Sequence, residues 1–137
     1  MQLSAKEVKA RTQRFERTLR SRGLPLTPQK RAIFAAVAGT ASHPTADEVW
    51  RAVRRDHPDL SFATVYKNLN KFVDLGLARS LEAGGPARFD ANTDDHCHIV
   101  DLRTGKVGDS MLSSSLPPPR GIAAARIDRY DLVFYVR

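Results

Sequence analysis

Cysteine occurs once in this chain of 137 residues, at Cys97, which excludes an intrachain disulfide framework. Aromatic residues make up only 7% of the sequence, with a single tryptophan, Trp50. No apolar run approaches the roughly 20 residues of a membrane span, so no membrane partner is expected. The opening stretch MQLSAKEVKARTQRFERTL lacks the apolar segment of a secretory signal and reads instead as an amphipathic helix, so a cytoplasmic location is expected. Histidine is also scarce, at four residues, yet two of them fall together in Asp94-Asp95-His96-Cys97-His98.

Acidic residues are too few to balance the basic ones, leaving a net charge of +7. Residues 1–83 carry 15 Lys and Arg against 8 Asp and Glu, whereas residues 84–137 carry 7 of each. All of the excess positive charge therefore belongs to the first part. Phosphate contacts need Lys and Arg gathered in one module, so double-stranded DNA is the expected partner.

The first part reads as helices followed by a hairpin. Ser4-x-x-Glu7 is a capping box, and Val8, Phe15 and Leu19 lie close to one helical stripe, which Gly23 and Pro25 end. Thr27-Pro28 starts a second helix with Ile33, Phe34 and Val37 on its apolar face. Thr45-x-x-Glu48 caps a third, followed by Val49, Trp50 and Val53. Ser61 caps a fourth, Phe62 to Leu75, closed by Gly76. Its apolar positions are Phe62, Val65, Leu69, Phe72, Val73 and Leu75. Leu77–Leu81, the turn Ala83-Gly84-Gly85-Pro86 and Ala87–Phe89 then make two short strands. Helices followed by a two-stranded hairpin give the winged-helix order.

An α-helix fits the major groove, and exposed polar residues early in it reach base edges. On the fourth helix these are Thr64, Tyr66, Lys67 and Asn68, with Lys71 a turn further on. Lys67 and Lys71 suit phosphates, and Tyr66 can lay its ring on a thymine methyl. Arg20 and Arg22 of the first helix are candidates for backbone or minor-groove contacts.

The second part reads as mostly β, with strands over His96–Leu102, Lys106–Val107 and Arg129–Val136 and a turn at Thr104-Gly105. Pro117-Pro118-Pro119 excludes regular structure there, and Ile122–Ile127 reads equally as helix or strand. So few apolar positions make a thin core, which a second copy of the chain would complete. On a strand, alternate side chains share a face, so His96 and His98 stand side by side and Cys97 faces away as a small buried hydrophobe. Two imidazoles with Asp90 and Asp109 nearby form a candidate metal site. Plainer readings stand beside it: His43 as the residue shaping the turn into Pro44, His96 and His98 as polar-face residues, and Asp90 and Asp109 as turn carboxylates.

Three stretches carry a resemblance: Thr27-Pro28-Gln29-Lys30-Arg31, His43-Pro44-Thr45-Ala46-Asp47-Glu48-Val49 and Ser61-Phe62-Ala63-Thr64-Val65-Tyr66-Lys67-Asn68-Leu69. Together with Arg88-Phe89-Asp90, His96-Cys97-His98 and Gly105-Lys106-Val107, they resemble the ferric uptake regulator (Fur) family over roughly residues 5 to 110. Aspartate at positions 90 and 109 brings the resemblance nearest to the family's peroxide-sensing (PerR) branch.

The resemblance implies an α+β fold: an N-terminal winged helix-turn-helix DNA-binding domain, residues 1–86, and a small α/β dimerisation and metal-sensing domain, residues 87–137. It implies a homodimeric, metal-dependent repressor and no enzymatic activity. It places one regulatory Fe²⁺ or Mn²⁺ per subunit on His43, Asp90, His96, His98 and Asp109, with Zn²⁺ able to bind in vitro. An N/O set of this kind suits Fe²⁺ or Mn²⁺ better than a four-coordinate zinc site. In the peroxide-sensing branch the oxidised ligands match His43 and His96; metal sensing without peroxide, as in iron- or manganese-uptake regulators, is the alternative. The sequence also departs from the family. A structural zinc is often held there by two Cys-x-x-Cys pairs, but Asp101 and Thr104 replace the first pair and the sequence ends where the second would begin. No structural Cys₄ zinc is expected. Tyr130 stands where some relatives place a histidine of a second site, and Pro117–Pro119 interrupts the usual helix of the second domain. A metallohydrolase would also use His-x-His with aspartates, but the sequence supplies no nucleophile and the basic module would go unexplained.

Overall fold

The computed structural model describes residues 3–82, 84–93, 97–112, 116–123, 126–127 and 130–137. The chain divides into two units, residues 1–93 and 94–137. The first contains α1 (Ala5–Ser21), α2 (Pro28–Ala38), α3 (Ala46–Val53), α4 (Phe62–Asp74), β1 (Arg79–Leu81) and β2 (Arg88–Asp90). The second contains β3 (Cys97–Asp101), β4 (Val107–Ser110) and β5 (Val133–Val136). The division expected between residues 86 and 87 would part β2 from β1, with which it pairs antiparallel; the two units separate after Thr93 instead.

Each helix begins where its capping chemistry predicts. Ser4 and Glu7 form a reciprocal capping box at α1, and Thr45 and Glu48 form another at α3. The Ser4 backbone N–H, and then its hydroxyl, bond the Glu7 carboxylate and hold its pKa below the usual value. The Thr27 and Ser61 hydroxyls accept from the N–H groups of Lys30 and Thr64 at α2 and α4. Gly76 follows the α4 C-cap at φ +72°, a conformation that costs a residue with a Cβ.

The apolar faces of the four helices converge on one core. Phe15 of α1 stacks on Phe34 of α2 with centroids 4.4 Å apart, and Phe72 of α4 meets both rings edge-on at 5.4 and 5.6 Å. Offset-stacked and T-shaped arrangements are the favoured geometries for aromatic pairs. Val37, Val49, Val65 and Leu69 fill the space around them. Arg14 fastens α1 to the end of the unit, bonding the Thr93 hydroxyl and donating to the Gly76 carbonyl at 3.0 Å.

The β1–β2 hairpin is tied back to the start of α3. Phe89 N–H donates to the Pro44 carbonyl at 2.9 Å, and Thr45 forms an isolated antiparallel bridge with Arg88. The hairpin thus brings Asp90, its last residue, beside the loop that carries His43.

In the second unit the sheet order is β4-β3-β5, antiparallel on one side of β3 and parallel on the other. The strand expected at Lys106–Val107 runs on to Ser110, so Asp109 belongs to a strand and not to a turn. Gly105 takes φ +72° in the preceding turn. β5 is shorter than the expected Arg129–Val136 and occupies an edge, with Phe134, Tyr135 and Val136 exposed. Only Cys97, His98 and Val100 are buried among the described residues of this unit. Pro117–Pro119 lie in coil. Of Ile122–Ile127, residues 124 and 125 fall outside the described residues, and the Arg126 N–H donates to the Ala123 carbonyl at 2.9 Å. No helix among the described residues is long and apolar enough to cross a membrane.

Candidate functional site

The loop before α3 holds His43 in an unusual conformation. Its φ is +55°, the one positive value at a non-glycine residue among those described. A residue preceding proline ordinarily adopts extended backbone, so the left-handed form is strained by roughly 1–3 kcal/mol. Surrounding bonds hold it there: the Arg88 guanidinium donates to the His43 carbonyl at 3.0 Å, and the next carbonyl, of Pro44, takes the Phe89 N–H.

With its backbone fixed, the buried imidazole of His43 meets the end of β2. Its Nε2 lies 3.2 Å from Asp90 Oδ2, and both side chains are almost wholly buried. The other carboxylate oxygen, Oδ1, accepts from the Asn92 N–H at 2.8 Å, which orients the group toward the histidine.

A second pair of the same chemistry is built by the sheet of the second unit. His98 on β3 stands opposite Asp109 on β4, and His98 Nε2 lies 3.3 Å from Asp109 Oδ1. His98 is buried, and the Asp109 side chain is about one-quarter exposed. Cys97, its neighbour along β3, points to the opposite face and donates its thiol to the Ser110 carbonyl at 3.2 Å, as expected of a buried cysteine.

Both pairs have the spacing of adjacent ligands. Two donors held at about 2.1 Å by one ion, at angles between a right angle and the tetrahedral value, would stand about 3.0–3.4 Å apart. Imidazole nitrogen with carboxylate oxygen also suits Fe²⁺, Mn²⁺ or Zn²⁺, so the residues present fit such an ion. Of the five ligands expected, His43 is joined with Asp90 and His98 with Asp109. His96, like Asp94 and Asp95, lies outside the described residues. Sequence reasoning missed the roles of Arg88 and Asn92, which set the positions of His43 and Asp90, because those roles depend on contacts with the folded loop.

The expected nucleic-acid face is on α4. Thr64, Tyr66, Lys67 and Lys71 are exposed, while Val65, Leu69 and Phe72 face the core. Asn68 differs from expectation: it is half-buried, and its amide donates to the Thr64 carbonyl at 2.9 Å, one turn back along the same helix. Asn70 is exposed in its place. Phe62, expected in the core, is 42% exposed at the first position of the helix. Arg20 and Arg22 are exposed at the end of α1.

Comparison with known proteins gives these features a family. Residues 21–124 match the model of the ferric uptake regulator family. Over 93 residues, 67% of this chain and 63% of the relative, the sequence is 42% identical to the peroxide-responsive repressor PerR of Staphylococcus aureus (strain Mu50 / ATCC 700699). The matched stretch thus spans less than two thirds of that relative's length. Among solved structures, the ferric uptake regulator from Pseudomonas aeruginosa with manganese superposes with a TM-score of 0.66 at 28% identity, covering 87% of this chain and 93% of that one. PerR from Streptococcus pyogenes superposes with a TM-score of 0.57 at 27% identity, covering 80% and 71%. An α+β chain that sets an N-terminal winged helix before a small sheet, and that matches the family's model over most of its length, belongs to the ferric uptake regulator family.

Proposed function

We propose that this chain is a homodimeric, metal-dependent repressor that binds operator DNA through α4 and loses its grip on DNA when peroxide oxidises the metal site. The observation that carries the reading is the occurrence of a His–Asp pair with a buried imidazole in each unit, His43 with Asp90 and His98 with Asp109. Under this reading these four residues and His96 hold one Fe²⁺ or Mn²⁺ per subunit, with residues 1–93 reading DNA and 94–137 dimerising. With ligands drawn from both parts of the chain, binding favours one setting of the reading helices in the dimer. Half-site spacing on DNA is a geometric requirement, so that preference becomes DNA affinity.

The chain's own residues supply the rest. Arg88 and Asn92 preorganise His43 and Asp90. Lys67, Lys71, Arg20 and Arg22 offer positive charge to phosphates, and Thr64 and Tyr66 meet base edges, with Asn68 beside them. The exposed apolar residues of β5 offer the second copy an apolar edge to complete the thin core. Fe²⁺ held by these residues would supply reducing chemistry toward peroxide, which Mn²⁺ would not. His43 and His96 are the side chains proposed to take up the oxidation. The composition, with Asp101 and Thr104 in place of one Cys-x-x-Cys pair, gives no support to a structural Cys₄ zinc.

The test is DNA affinity of anaerobically prepared protein, loaded with Fe²⁺ or Mn²⁺, before and after peroxide. Loss of binding in the Fe²⁺ form alone, with a mass increase of one oxygen on the peptides carrying His43 or His96, is the expected result; an Fe²⁺ form indifferent to peroxide overturns peroxide sensing. The likeness to the manganese-containing Pseudomonas regulator favours a second reading, a sensor of the metal itself. Under that reading DNA affinity follows free Fe²⁺ or Mn²⁺ and ignores oxidant.

A further inference from the structure

The first turn of α4 exposes a phenylalanine that an ordinary amphipathic helix would bury. Phe62 is 42% exposed and Tyr66, one turn further on, is 46% exposed. Their rings are stacked, 25° from parallel with centroids 6.1 Å apart. Phe62 also meets Trp50 of α3 edge-on, at 6.1 Å and 86°. Trp50 is itself fixed: its indole N–H donates to the Leu60 carbonyl at 2.9 Å, and the Arg54 guanidinium covers its ring at 4.7 Å. Two large rings are thus held in place while much of their surface stays in water.

Such a pair has a partner of matching chemistry on the reading given above, on which this inference rests. In the major groove the thymine 5-methyl is the apolar feature of the base edges, and phenylalanine is among the side chains that contact it. The first residues of a recognition helix are the ones that reach base edges. Phe62 is the first residue of α4, and Arg54 over Trp50 and the exposed Lys67 and Lys71 further along α4 offer positive charge to a polyanion. A ring already held by Tyr66 and Trp50 loses little rotamer freedom on binding.

We propose that Phe62 is a specificity-determining residue that reads a thymine methyl in each half-site, with Trp50 and Tyr66 as the residues that position its ring. Phenylalanine offers no hydrogen bond, so it separates thymine from cytosine by the methyl alone. It therefore selects for T at one position of the half-site, whatever the polar residues of α4 select elsewhere.

The test uses the full chain loaded with Mn²⁺. Duplexes are first selected from a random-sequence pool, and each thymine of the enriched sequence is then replaced singly by deoxyuridine, which removes only the methyl. In the wild type one replacement per half-site is expected to weaken binding about threefold to fivefold, the worth of one buried methyl. Phe62→Ala should lose that sensitivity and keep its response at every other thymine. Enriched duplexes that tolerate every deoxyuridine in the wild type overturn the inference without needing any variant. So does a sensitivity that survives Phe62→Ala and vanishes in Tyr66→Ala. A pool that yields no enriched duplex overturns the DNA-binding reading itself.

Discussion

His98 and Asp109 face each other across the antiparallel β3–β4 ladder, one strand delivering the imidazole and its neighbour the carboxylate, 3.3 Å apart. The register alone creates the pair: a one-residue slip would turn one of the two side chains to the other face. If the pair is half of a metal site, neutralising the carboxylate should weaken the ion while sparing the fold. Asp109→Asn is expected to lower Mn²⁺ affinity at least tenfold, read by competition with a fluorescent chelator. An unchanged affinity would remove Asp109 from the site.

The His43–Asp90 pair depends on a residue that touches neither donor atom. Arg88 holds the His43 carbonyl and with it the left-handed backbone that aims the imidazole at Asp90. Removing a hydrogen bond to a charged donor costs about 1.5–3 kcal/mol. Arg88→Ala should therefore weaken Mn²⁺ binding by about tenfold or more. Circular dichroism should show α1 to α4 still folded, because Arg88 is absent from the apolar core. Arg88→Lys, which keeps a donor but loses the planar fork, should fall between the two.

Some of this arrangement was legible in the sequence and some was not, for physical reasons. Helix starts are local, and Ser4, Thr27, Thr45 and Ser61 each announce theirs through a side chain that satisfies a backbone N–H three residues on. Phe62 misleads because it lies three positions before Val65 and seven before Leu69, on the apolar period, yet at the end of a helix that period can run past the core. A turn carboxylate is the plainer reading of Asp109 from sequence, whereas pairing with β3 carries the strand through to Ser110. The bond from Arg88 to His43 spans 45 residues of sequence, and no local pattern encodes it.

The core of the first unit makes a prediction about stability and not about metal. Phe34 stacks on Phe15 and meets the edge of Phe72, so its loss leaves those two rings with only each other and a cavity beside them. Phe34→Ala should destabilise the first unit by about 3–5 kcal/mol, read by urea denaturation. Phe34→Leu, which fills much of the space, should cost less. Equal midpoints for wild type and Phe34→Ala would mean that the three-ring cluster does not anchor the helices.

The edge strand bears on assembly. Phe134 and Tyr135 of β5 are 45% and 53% exposed, beside a sheet that buries only three of its described residues. Edge strands that remain single are usually blunted by charge or proline, and Val133–Val136 carries neither. A second copy pairing with this edge would bury the apolar side chains and use the unpaired backbone groups together. Placing a charge there should undo the pairing: Tyr135→Glu is expected to shift the protein from dimer to monomer at micromolar concentration in sedimentation equilibrium. The urea midpoint of the first unit, whose core contains no residue of β5, should not change. A Tyr135→Glu protein that stays dimeric would place the association on another surface.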